Sequence, residues 1–141
     1  MGPLFTDHMV LQQNAVVPLW GTGPIGTKIE VVSSWGQKTI AEVDREGHWE
    51  ATLETPSYGG PYELEIISGS QQVTIRDVMI GEVWLASGQS NMEWTLDNRI
   101  LNQKEEIATA NFNSIRMFSV PRDLKGQEIK TTQGQIAQSE T

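Results

Sequence analysis

Ser90 stands in the run Ser87-Gly88-Gln89-Ser90-Asn91-Met92, directly after the apolar stretch Val83-Trp84-Leu85-Ala86. A hydroxyl between two amide side chains, with Gly88 nearby to let the backbone bend, has the composition of a nucleophile turn. Such a serine can attack a carbonyl once a general base takes its proton and a third group orients that base. Gln89 and Asn91 on either side, and Trp94 four residues on at the border of an acyl pocket, are the candidate substrate contacts. The Gly-x-Ser-x-Gly elbow of α/β-hydrolases is not the match, because Met92 occupies its second glycine position. Gly-x-Ser tripeptides are also common in ordinary loops, so the flanking sequence has to decide.

Few other residues offer chemistry. The chain has no cysteine, which excludes disulfides, thiolate metal sites and cysteine nucleophiles. Its two histidines, His8 and His48, lie forty residues apart and suggest no metal site. Both read as solvent-facing. Gly21-Thr22-Gly23-Pro24-Ile25-Gly26 imitates a dinucleotide-binding loop, but the β run Thr27 to Val31 follows where a helix would be needed, so a hairpin turn is expected. Glu93 and Asp97 read as a solvated helix entry rather than an acid pair. Among the tryptophans, Trp20, Trp49 and Trp84 lie in apolar strand runs and are expected in the core, while Trp35 beside a turn glycine is the candidate sugar platform.

The elements that must position Ser90 follow from hydrophobic period. From Thr6 to about Asp77 the chain reads as short strands: Met9–Gln12, Val16–Trp20, Lys28–Ser33, Thr39–Val43, Trp49–Leu53, Tyr62–Ile66 and Val73–Ile75. Ile29 and Val31, then Trp49, Ala51 and Leu53, then Tyr62, Leu64 and Ile66 alternate with period two, as half-buried strands do. Glycine-containing turns separate them, which predicts an antiparallel β-sandwich over residues 1–77. Val78 to Ala86 is nearly continuous apolar sequence, the pattern of a strand buried on both faces that delivers Ser90 to the carboxyl edge of a sheet. Ile100, Leu101, Ile107 and Ala108 then recur at helical spacing between Asn98 and Ala110. Ser114–Val120 is a further strand candidate, so residues 78–121 predict one βαβ unit. The polar stretch 122–141 is expected to be loop or disordered.

Three blocks in order resemble a known family. They are Leu4-Phe5-Thr6-Asp7-His8-Met9-Val10-Leu11-Gln12-Gln13 with Val17-Pro18-Leu19-Trp20-Gly21; Gly81-Glu82-Val83-Trp84 running into Gly88-Gln89-Ser90-Asn91-Met92; and Glu105-Glu106-Ile107-Ala108 with Ile115-Arg116-Met117-Phe118-Ser119-Val120-Pro121. Together they resemble the sialate O-acetylesterase group of SGNH hydrolases from residue 4 to 121. The resemblance implies an amino-terminal β domain ahead of an α/β esterase domain, with Ser90 as nucleophile. It implies removal of acetyl groups from sialic acid or a related sugar, no cofactor, and a periplasmic or secreted setting. It also implies a histidine base held in a later Asp-x-x-His motif, and later Gly and Asn oxyanion donors. Neither His8 nor His48 stands in such a motif. The residues after 77 are too few for a doubly wound domain, which takes well over about 100. The chain therefore reads as the front end of a larger enzyme, inactive by itself.

Composition bounds the alternatives. The 141 residues are 38% hydrophobic and 20% charged, with five tryptophans, which is enough for a core. A formal charge of −8 with scattered lysine and arginine argues against nucleic acid and against an anionic membrane surface. No stretch has the length of a transmembrane helix, and Met1-Gly2-Pro3 does not begin a signal peptide. The rival to an esterase is a non-catalytic β-sandwich that binds a glycan or packs on a partner domain. Open strand edges in an incomplete βαβ unit would also favour self-association.

Overall fold

The computed structural model describes residues 4–95, 101–112, 114–119 and 135–138. It is mainly β. Strands β1 (Val10–Gln12), β2 (Val16–Thr22), β3 (Lys28–Ser33), β4 (Lys38–Glu42), β5 (His48–Glu54), β6 (Gly59–Ser68) and β7 (Gln71–Gly81) come first. A 3-10 turn (Ser90–Glu93), helix α1 (Gln103–Thr109), β8 (Arg116–Ser119) and β9 (Gln135–Gln138) follow.

Alternation in the sequence becomes burial. In β2 and β5 every second residue points inward, and the register sets Val17 opposite Leu53 and Leu19 opposite Ala51. The larger sheet runs β1-β7-β6-β3-β4, and its inward residues Ile29, Val31, Leu64, Ile66, Ile75 and Val78 join those of β2 and β5 in one core. Parity also corrects one tryptophan. Because Leu19 and Gly21 face inward, Trp20 faces out, and the Phe5 ring meets it edge-on at 4.6 Å. Trp49 is buried as expected. Trp35 is half-buried rather than an open platform: its indole N–H donates to the Glu54 carbonyl at 2.9 Å and its ring packs edge-on to Tyr62.

Two expectations about topology change. The sheet is mixed rather than wholly antiparallel, since β1 pairs parallel with β7. Period-two alternation is the same for either direction, so strand sense is not visible in it. Gly21 to Gly26 is not a hairpin either: β2 and β3 belong to different sheets, and this turn carries the chain between them. The β4–β5 turn shows ordinary turn chemistry. The Asp44 carboxylate accepts the backbone N–H of Glu46 and of His48 at 2.9 and 2.8 Å, and Gly47 takes φ +82°.

The larger difference begins at Gly81. β7 runs unbroken through Asp77 to Gly81, so residues 78–81 belong to the larger sheet. Val83 to Ala86 forms no strand; Trp84 and Leu85 are 86% and 92% exposed. β8 pairs antiparallel with β9, so the parallel βαβ unit is not formed among the described residues. The reason is physical: a strand apolar on both faces needs a neighbouring strand and two covering layers, and none of these reaches Val83–Ala86 among the described residues. Helix α1 is shorter than the expected span and buries no residue. Residues 98–100 of that span, Asp97, Val120, Pro121 and most of the expected loop at 122–141 lie outside the described residues, although 135–138 is strand.

Candidate functional site

The nucleophile turn is built by three local devices. Gln89 is extended (φ −105°, ψ −154°), and the 3-10 turn starts on Ser90, with Met92 N–H donating to the Gln89 carbonyl at 2.9 Å. A Cβ at Gly88 would collide with the Met92 side chain as it stands, so glycine lets that side chain fold back against the start of the turn.

Ser90, Gln89, Asn91 and Trp94 all lie in this one exposed stretch. The structure thus gathers the four candidates by chain proximity, with Trp94 63% exposed just past the turn. It brings no base to them. Among the described residues, no hydrogen bond joins Ser90 to His8 or His48. His48 opens β5 on the surface, as expected, with its Nδ1 4.0 Å from the Glu46 carboxylate.

His8 differs from its solvent-facing expectation. Its Nδ1 is 2.6 Å from Asp77 Oδ2, and Arg116 reaches the same carboxylate with its second nitrogen at 2.8 and 2.9 Å. The Arg116 side chain is only 12% exposed. Its other terminal nitrogen donates to the carbonyls of His8 and Asp77, and at 3.5 Å to that of Met9. The His8 hydrogen bond first, and then the Arg116 guanidinium, hold the Asp77 carboxyl below the ordinary carboxylate range. Sequence reasoning missed this cluster because its members are far apart in the chain. The one local signal was a charged Arg116 set between Ile115 and Met117 in an apolar strand.

A second chain-exit contact lies at the end of β7. Gln12 and Gln13 donate their side-chain amides to the Glu82 carboxylate at 3.1 and 2.7 Å, which holds that carboxyl below its ordinary range. Val83 N–H donates back to Gln12 Oε1 at 2.9 Å. Asp44, Glu46 and His48 each bring one possible ligand atom within 4.8 Å of the others, but all three are exposed. Backbone N–H groups, that of His48 foremost, already occupy the Asp44 carboxylate and lower its pKa. The sequence reading, which weighed the histidines as a pair, passed over this spacing.

Comparison with known proteins settles the ancestry of this arrangement. No family model matches the chain. The sialate O-acetylesterase of Mus musculus is 36% identical over 125 residues, covering 81% of this chain and 23% of its own length. The sialate O-acetylesterase of Homo sapiens is 34% identical over 135 residues, 88% of this chain and 26% of its own. This chain belongs to the sialate O-acetylesterase family. It spans about a quarter of the length of these curated sialate O-acetylesterases. The crystal structure of a carbohydrate acetylesterase from Xanthomonas citri superposes with a TM-score of 0.86 at 33% identity, over 97% of this chain and 32% of that one. The mixed sheet thus lies within the stretch that superposes on a part of that larger protein. No helix among the described residues is long and apolar enough to cross a membrane.

Proposed function

We propose that this chain is the amino-terminal part of a carbohydrate O-acetylesterase that removes acetyl groups from sialic acid or a related sugar. The observation that carries the reading is the exposed Ser90 at the first residue of a 3-10 turn, shaped by Gly88 and Met92, in a chain of this family. In this reading the Ser90 Oγ attacks the acetyl carbonyl, and a histidine from elsewhere in the longer enzyme takes its proton. That proton passes to the departing sugar oxygen as the acyl bond breaks; water then attacks the acetyl-serine and releases acetate. Gln89 and Asn91 contact the substrate beside the nucleophile, and Trp94 borders the acyl group. No cofactor enters.

The domain division proposed is a β domain with a mixed sheet, expected at 1–77 and carried on to Gly81 by β7, then the start of an SGNH-type hydrolase domain up to 121, and a polar stretch at 122–141. In the longer enzyme Val83–Ala86 becomes the buried strand of a βαβ unit, covered by neighbouring segments of that enzyme. A periplasmic or secreted setting fits the family. The rival reading, a β module that packs on a partner domain without chemistry of its own, draws on the absence of a base at Ser90 among the described residues.

Acetyl-ester hydrolysis tests the proposal. In the longer enzyme Ser90→Ala should cost several orders of magnitude in kcat, as loss of a triad serine does elsewhere. Retention of most activity would show that Ser90 is not the nucleophile. The present chain alone should hydrolyse p-nitrophenyl acetate no faster than its own Ser90→Ala variant, and a serine-dependent rate would mean that a base lies within it.

A further inference from the structure

We infer that Arg116 is a positioning residue: together with Glu82 it clamps both ends of the Ser90-bearing segment onto the chain around β1, making the β portion the reference frame of the nucleophile turn. The two contacts are independent in chemistry and converge on one short stretch. At the entry, Glu82 and Val83 are held by the side chains of Gln12 and Gln13, and Gln13 N–H also donates to the Gly81 carbonyl at 2.9 Å. At the exit, Arg116 reaches the His8 carbonyl at 2.9 Å, the Met9 carbonyl at 3.5 Å, the Asp77 carbonyl and both Asp77 carboxylate oxygens. The chain leaves one end of β1 and returns to the other. Ser90 and α1 lie between these two holds, on backbone that buries almost nothing of its own among the described residues.

Geometry explains why arginine is needed at the exit. His8 and Asp77 both adopt left-handed backbone, with φ of 68° and 53°, beside the start of the parallel β1–β7 pairing. A planar guanidinium with a fixed fork can serve a carboxylate and adjacent carbonyls at once, and a lysine ammonium cannot. Asp77 balances the nearly buried charge, and His8 takes the remaining side of that carboxylate. A guanidinium so enclosed, joined to a segment that otherwise lacks buried contacts, fixes position rather than adding to a core.

The absence of cysteine allows a direct test with introduced spin-label pairs. Labels at Glu50→Cys on exposed β5 and Glu105→Cys on exposed α1 report the distance between the β portion and the segment. The clamped chain should give one narrow distance distribution, and Arg116→Ala should roughly double its width on the frozen ensemble. Arg116→Lys, which keeps the charge but loses the fork, should broaden it as well. It decides the matter if Arg116→Ala fails to fold by circular dichroism. An unchanged width in the folded variant overturns the clamp. The catalytic consequence rests on Ser90 being the nucleophile. In the longer enzyme Arg116→Ala should then lower kcat about 10- to 100-fold with KM for the acetyl ester unchanged. A loss confined to KM would overturn the positioning role. If Ser90→Ala there retains activity, the nucleophile reading fails while the distance measurement still decides the clamp.

Discussion

Residues 4–81 and the described residues after Gly81 contain apolar side chains of the same kinds and treat them in opposite ways. Before Gly81, Leu19, Val31, Leu64 and Val78 are wholly buried in a core shared by two sheets. After it, Val83, Trp84, Leu85, Leu101, Phe112 and Met117 are exposed. The first region finds its partners within itself, since each inward residue faces another strand of the same stretch. The second leaves these side chains uncovered among the described residues. Hydrophobic pattern thus states what a segment can bury, and topology decides whether it does.

Paired truncations should make the contrast measurable. Leu64→Ala should destabilise the chain by about 2–5 kcal/mol, the range for emptying a packed leucine site. Leu85→Ala should change stability by less than about 0.5 kcal/mol, as exposed substitutions do. Urea denaturation followed by tryptophan fluorescence measures both. Equal losses would mean that Leu85 packs in solution, and the two regions would then be alike.

Self-association should expose the same difference at the level of the whole molecule. An apolar segment without its cover, and the open edges of β8 and β9, favour pairing with a second copy. Light scattering should therefore show residues 1–141 associating with concentration while residues 1–81 remain monomeric. Equal monomeric behaviour at high concentration would remove the argument that the segment seeks a cover.

Legibility in the sequence divides along the same line. The strand positions at Ile29–Val31, Trp49–Leu53 and Leu64–Ile66 were readable because alternation is a local property that burial preserves. The outward face of Trp20 is equally legible from its parity with Leu19, which outranks the apolar content of the run. The parallel sense of β1 and β7 was not, because it is fixed by contacts across most of the β portion. Ser90 and its neighbours were legible as a turn, and Gly88 and Met92 make that turn for a steric reason a sequence does not display. The Arg116 cluster was invisible apart from one charge in an apolar strand. Its partners come from the residues just before β1 and from Asp77 within β7.

A turn substitution gives a smaller effect that still separates the regions. Gly47→Ala places a side chain at φ +82° in the β4–β5 turn, a conformation that costs an L-residue about 1 kcal/mol. Loss of that order in a denaturant midpoint is expected, with the spin-label distance distribution across the Arg116 contact unchanged. A broadened distribution would mean that strain in the core turn reaches the clamped segment, and the two regions would be coupled by more than their two holds.

The smallest effect concerns pH and falls on the boundary itself. Asp77 has its carboxyl lowered by the His8 hydrogen bond and by Arg116. A depressed folded-state pKa stabilises the folded form above the unfolded value of about 3.9, and that stabilisation is lost as pH falls through the lower folded value. The Asp77 side chain is 32% exposed, so solvent screens the effect and a modest slope is expected. The wild-type denaturation midpoint should drop between pH 5 and pH 3 by more than that of Asp77→Asn, which has no carboxyl to protonate. The label distance distribution should widen in the wild type alone as pH falls through the lowered folded value of Asp77. A parallel fall in both proteins would mean that other carboxylates carry the acid sensitivity, and that the ion pair holds the segment without contributing to the stability of the core beneath it.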